Sequence, residues 1–381
     1  MRTVRNAAFA LVGIALPAAA DIAISVNDGK AYLDNGVART SATPAIDHIV
    51  ILDMSVSPPR ITGRVDVPTT VVGPPVAVAI SRDESLALVT CAQKPDAADK
   101  TKTVPDNRVS VIDLKANPPR VVATVEAGAG ASGVSINRDG TLALVANRNE
   151  GTVSVFTISG TTVTPVGKIS LGDAKSGPSH VAITPDGKRA LVTRDGDHTL
   201  SILAIDGKNV TDAKRDFGVG YRPYGVDIAS DGSIAVVANA GRNTGDSETA
   251  SLVDLRTDPP RVVDTVSVGP TPEGITLSPD GKVAAVITHN GSAKAKNSPF
   301  YNANGKLVLL RVDGGRLTKF AEAPIGTWAQ GSAFSRDGKT LLVQNLVERE
   351  IAIFRLEGDK VTDTGQRIKM EAGPVSMRTS W

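Results

Sequence analysis

Apolar and polar residues alternate in short runs along most of the chain, and the runs are broken by Gly, Asn and Asp. This is the period of half-buried β-strands joined by tight turns. Beyond residue 20 no stretch sustains an apolar period of 3.6 residues, so helix is expected to be minimal. One phrase recurs: apolar-x-apolar-Ser/Thr-x-Asp-Gly, followed by a second apolar strand. It reads Ile136-Asn137-Arg138-Asp139-Gly140, Ile183-Thr184-Pro185-Asp186-Gly187, Ile228-Ala229-Ser230-Asp231-Gly232, Leu277-Ser278-Pro279-Asp280-Gly281 and Phe334-Ser335-Arg336-Asp337-Gly338. Ile80-Ser81-Arg82-Asp83 is a copy with Glu84 in place of glycine, and Ile24 to Gly29 reads as another. Seven copies lie 45 to 57 residues apart. Internal periods of that length indicate propellers or solenoids.

Each unit reads as four strands. In the third, Ser132 to Asn137 runs into the Asp139-Gly140 turn, Thr141 to Asn147 returns, and Thr152 to Thr157 and Val163 to Leu171 follow. The third and fourth strands are linked either by Gly turns or by Pro-Pro-Arg, as at Pro58-Pro59-Arg60, Pro118-Pro119-Arg120 and Pro259-Pro260-Arg261. Paired prolines donate no ladder hydrogen bonds and suit the turn before an outer edge strand. The expected fold is all-β, a seven-bladed β-propeller of four-stranded antiparallel blades. Gly373 to Thr379 matches the start of an innermost strand, as in Gly177 to Ile183, and stops where a turn should follow. It is expected to complete the blade begun by Ile22 to Asp28 and so close the ring.

Leu144-Val145-Ala146-Asn147, Val236-Val237-Ala238-Asn239, Leu342-Val343-Gln344-Asn345 and Ser278-Pro279-Asp280-Gly281-Lys282 resemble the signatures of the YVTN family of β-propellers. The resemblance spans residues 21–381 and implies the propeller fold. The same superfamily includes lactonases of the 6-phosphogluconolactonase type, and Gly177-Pro178-Ser179-His180 is similar to a Gly-Pro-Arg-His segment there, with Ser179 in place of the arginine.

Residues 1–20 read as a secretory signal peptide: Arg2 and Arg5, an apolar run from Ala7 to Leu16, then Ala18-Ala19-Ala20. Residues 21–381 form the expected propeller domain, exported to the periplasm or secreted, with no membrane span after processing. Removing two of the 42 basic residues leaves 40 against 40 acidic ones. Neutrality and 3% aromatic content argue against nucleic acid as a partner. Cys91 is the only cysteine, which excludes an intrachain disulfide. A monomer without a cofactor is expected.

The innermost strand of each blade runs to the Asp-Gly turn, so the loops after the second strands share the opposite face with the segments that enter each blade. Those loops are long after about 35–47, 91–107, 240–249 and 289–304, giving two walls beside blade seven and a low side at blades three and four. Candidate catalytic residues on this face are His180 as general base, with Arg194 or Arg378 holding an oxyanion, and Glu273. Arg148, His198, Tyr224, Arg242, His289, Trp328, Gln330 and Arg378 are candidate ligand contacts. Gly128 to Gly133 fits Gly-x-Gly-x-x-Gly but leads into a strand, whereas a dinucleotide site opens a helix. The four histidines lack metal-ligand spacing, and no metal is assigned. Two functions fit: binding of a small molecule or another periplasmic protein at the channel, and, from the resemblance, hydrolysis of a lactone.

Overall fold

The computed structural model describes residues 21–380; the expected signal peptide lies outside them. Every regular element among the described residues is a strand, and the strands form seven antiparallel blades in a ring. The innermost strands of blades two to seven are Val78–Ile80, Ala131–Ile136, Pro178–Ile183, Pro223–Ile228, Pro272–Leu277 and Ala329–Phe334. Each turns back through the repeated phrase. Thr184, Ser278 and Ser335 donate their hydroxyls to Asp186, Asp280 and Asp337 at 2.6 Å, and the glycine that follows takes φ near 70°. That left-handed backbone costs glycine least. The second strands of blades three, five and seven end on Asn147, Asn239 and Asn345. Asn147 and Asn345 accept the backbone N–H of Gly128 and Gly326, both at 2.9 Å. The signature asparagine therefore ties the end of the second strand to the segment that enters the same blade.

Blade one is ordered Gly373–Thr379, Ile22–Asp28, His48–Asp53, Arg60–Asp66, so the C-terminal strand is its innermost. This corrects one reading of the repeat. Ile22–Asp28 is a second strand: Asn27 faces Pro374 as Asn147 faces Ala131. Asp28-Gly29 therefore ends a strand on the loop-rich face and makes no Asp-Gly turn. There the Asp28 carboxylate accepts from Val71 N at 2.8 Å and, with Asp47, holds the buried Lys30 ammonium. Six turns of the repeat remain, and the two ends of the described residues meet where the seventh would stand.

The apolar side chains gather into seven clusters, one between every pair of neighbouring blades. Leu88 and Val111 of blade two meet Val145 and Phe156 of blade three, and Val50 and Leu52 of blade one meet Leu342 and Ile353 of blade seven. Each blade is thus a sheet buried on both faces.

Glu84 explains the blade that lost its glycine. It keeps the positive φ, 55°, at a cost of about 1–2 kcal/mol. Its buried carboxylate accepts from Ser380 Oγ at 2.7 Å and Ile22 N at 3.4 Å, one group from each end of the described residues. Hydrogen bonds to a charged group contribute roughly 1.5–3 kcal/mol each, which exceeds the backbone strain. Glu84→Gly is therefore expected to lower the melting temperature by about 2–4 °C, although it restores the repeat's own residue. A calorimetric scan showing equal or higher stability would rule out the latch.

Candidate functional site

Superposing the blades through their pairing registers shows where chemistry is allowed to vary. At the second residue of the innermost strand the ring reads Ser132, Ser179, Tyr224, Glu273 and Gln330 in blades three to seven. Just past the second strand, blades three, four and six carry Arg148, Asp195 and His289. Both positions lie on the face opposite the Asp-Gly turns, and together they build one polar arc.

Arg148 anchors the arc. It pairs with Asp195 Oδ2 at 2.7 Å, donates to Ser179 Oγ, and lies over the Tyr224 ring at 5.4 Å. Asp195 is almost fully buried and also accepts from Arg222 at 3.0 Å and from Ser179 Oγ at 2.9 Å. Burial alone would raise the Asp195 carboxyl, but the Arg148 charge and the hydrogen bonds from Arg148, Arg222 and Ser179 outweigh it and hold its pKa below the ordinary value. Burial, opposed by Arg148, pushes the Tyr224 phenol up, so it stays protonated. In blade six, His289 Nε2 stands 3.5 Å from the Glu273 carboxylate, whose side chain is about one fifth exposed. His289 Nε2 and Gln330 Oε1 are buried polar atoms without a hydrogen-bond partner. Such atoms are costly unless a ligand or water satisfies them.

His180 is placed differently from a free base. Blades three, five, six and seven carry Gly133, Gly225, Gly274 and Gly331 at its position, and a Cβ on Gly133 would stand 2.7 Å from His180 Cα. Nδ1 of His180 accepts the Val226 N–H at 3.0 Å, so the neutral ring carries its proton on Nε2. That Nε2 faces the Arg378 guanidinium at 3.4 Å. Burial, then the Arg378 charge, hold the imidazole well below its ordinary pKa of 6.5. Arg378 reaches from blade one to Asp227 of blade five at 3.1 Å. His180, Arg378 and Asp227 thus form a belt across the channel. Beside it, a void of about 10 Å³ touches Glu273, Ser332 and Arg378 and is large enough for one water.

The remaining sequence candidates stand apart. Arg194 occupies the position of the signature asparagine, pairs with Asp197 and with Asp216 at 2.7 Å, and reaches Ser201 on its own blade. His198 and Arg242 both pack on Tyr221 at the rim, at 4.1 and 5.0 Å. Trp328 packs against the apolar cluster of blades one and two, and its carbonyl accepts from Gln330. Among the described residues no group of three His, Cys, Asp or Glu side chains is arranged to hold a metal. Cys91 is buried, and burial pushes its thiol up. Arg222, which sequence reasoning passed over, belongs to the arc; superposition of the segments that enter each blade is the signal that finds it.

The long loops join rather than merely flank blade seven. In the blade-one loop, Ala31–Asp34 and Val37–Thr40 form a hairpin, and Asn35 at its tip accepts Lys296 N of the blade-six loop at 3.1 Å. A Cβ on Gly36 would meet Ala295 N at 2.2 Å, so the contact requires glycine. A cavity lies at the other end of the channel, on the Asp-Gly face. It has a volume of about 530 Å³ and is lined by the ends of the innermost strands and their turns.

Residues 109–223 match the family model described as lactonase, 7-bladed β-propeller. Solved structures share the fold across nearly the whole chain. A candidate 6-phosphogluconolactonase from Bacteroides fragilis is 18% identical, with a TM-score of 0.72 over 94% of this chain and 98% of that one. A periplasmic gluconolactonase from Pseudomonas aeruginosa is 16% identical, with a TM-score of 0.67 over 93% and 99%. Hydrazine synthase from Kuenenia stuttgartiensis is 20% identical, with a TM-score of 0.63 over 81% and 90%. A search of curated protein sequences returns no match. No helix among the described residues is long and apolar enough to cross a membrane.

Proposed function

For a seven-bladed β-propeller whose residues 109–223 match the lactonase family, we propose hydrolysis of a sugar-acid lactone, in the periplasm, at the polar arc of blades three to six. The observation that carries this reading is Arg148. The resemblance to lactonases expects a guanidinium at position 179, where this chain has serine, and Arg148 supplies one by donating to that serine's hydroxyl. Asp195 and Ser179 use two of its five N–H donors, which leaves others for a developing oxyanion. Glu273, 3.5 Å from His289 Nε2, is the base. It takes a proton from water as the water oxygen bonds to the lactone carbonyl carbon. Collapse of the tetrahedral intermediate breaks the ring C–O bond, and the proton on Glu273 passes to the departing alkoxide, giving the open-chain hydroxy acid. His180 keeps the channel closed behind the arc rather than taking the proton.

Support for periplasmic export comes from the leader-like first twenty residues and from the periplasmic gluconolactonase among the structural neighbours. Glu273→Gln preserves shape and removes the base. It is expected to lower kcat on δ-gluconolactone or its 6-phosphate by at least 10²-fold, with little change in KM. Wild-type protein that binds these lactones without opening them would support the binding-only reading; hydrolysis that survives the substitution would remove Glu273 from the role.

A further inference from the structure

The 530 Å³ cavity on the Asp-Gly face falls within the range of small-molecule sites and takes no part in the lactone reaction. Its lining carries four arginines, Arg82, Arg138, Arg336 and Arg378, and one carboxylate, Asp227. Asp227 is already paired with Arg378. None of the turn aspartates is among the residues that line the cavity, and Arg336 stands beside Asp21, which does not line it either. Three of the arginines come from one position of the repeat, the residue before each turn aspartate, in blades two, three and seven. In blades four, five and six that position holds Pro185, Ser230 and Pro279. Positive charge is thus concentrated on one side of the mouth, across the blade-one position from which Arg378 enters the channel. Arg138 leans inward, its guanidinium 3.4 Å from the Ser230 carbonyl of blade five. Ser135, Ser278 and Ser332 also line it, the hydroxyls of Ser278 and Ser332 already donating to Asp280 and Thr276.

The geometry points to a second binding site here, for a small molecule carrying two or more negative charges. Arginine forks recognise carboxylate and phosphate oxygens in pairs, and several forks at one concave mouth favour a multiply charged anion over a single charge. The belt of His180, Arg378 and Asp227, with only a water-sized void beside it, separates this cavity from Glu273, so occupancy does not require passage through the reaction site.

The test uses isothermal titration calorimetry on the processed protein at low ionic strength, with citrate and with inorganic phosphate as probes. Wild type should bind citrate at one site per chain, and binding should weaken as salt is added. Arg82→Ser with Arg138→Ser, both exposed in the structure, should leave the melting curve in place and weaken citrate at least tenfold. Glu273→Gln should bind citrate as wild type does, which keeps this result separate from the fate of the lactone reaction. Failure of wild type to bind either probe, or equal binding by the double arginine variant, would overturn the proposal.

Discussion

A chain ending at residue 372 is expected not to form the native ring. The lost strand, Gly373–Thr379, is the innermost of blade one and pairs along Ile22–Asp28. It carries Val375 and Met377, each about 2% exposed, and burial of two such side chains contributes about 3–6 kcal/mol. The same deletion removes Arg378 from the channel belt, Ser380 from the Glu84 latch, and the Ser376 hydroxyl that accepts Ala77 N of blade two at 3.1 Å. Set against a typical domain stability of about 5–15 kcal/mol, the loss removes most or all of the margin. The apolar layers on either side of blade one would face water. Circular dichroism and size exclusion should show an unfolded or aggregated product, and a truncated protein with an unchanged melting curve would refute closure by the C-terminal strand.

Asp195→Ala should be the most damaging single substitution at the arc. It leaves Arg148 without its carboxylate in a site where the Arg148 side chain is only one fifth exposed. Breaking a buried pair by removing one partner costs roughly 3–5 kcal/mol. The lower end applies here, because Arg222 is about one third exposed and water can reach it. Asp195→Asn keeps the volume and some hydrogen bonds, so it separates charge from shape. The folded-state pKa of Asp195 is depressed, so its contribution to stability is complete above the ordinary carboxyl value of 3.8 and disappears as pH falls through the lower folded value. Urea midpoints of wild type and Asp195→Asn should differ by a constant amount near neutrality and converge only in acid below 3.8. A constant gap down to the acid limit would show that shape, not charge, sets the cost. If the proposed lactone hydrolysis holds, both variants should also lose it, since Arg148 is no longer aimed.

The fold was legible because its turns are chemically demanding. A hydroxyl two residues before an aspartate, with glycine next, can be read locally, and six blades carry that device or a close variant. Ile24 to Gly29 misled because an apolar strand followed by Asp-Gly has the same local form at either end of a blade; only Asn27, standing where Asn147 stands, shows the strand to be a second one. The site was legible as a face and as a set of residue types. Its pairings were not, since Arg148 finds Ser179 and Asp195 across a blade boundary, and nothing in the spacing separates it from Arg194, which turns outward to Asp197 and Asp216. The basic cavity was hidden for the same reason. Arg82, Arg138 and Arg336 look like solvated turn residues one at a time and become a cluster only when the ring is closed.

Glu84 binds both ends of the propeller ring, at Ile22 and Ser380, and Ala23 stands opposite Thr379 in the same sheet. In covalent terms the ring of residues 21–380 is therefore a circle cut once, at a place where neighbouring strands hold the two sides together. Where the cut falls is a property of the gene more than of the architecture. A circular permutant that joins residue 380 to residue 21 through a short linker and opens in the exposed segment near 100 would retain every contact between blades. Its cut would fall in the loop between the paired strands Leu86–Thr90 and Arg108–Asp113 of blade two, and no longer between two strands of blade one.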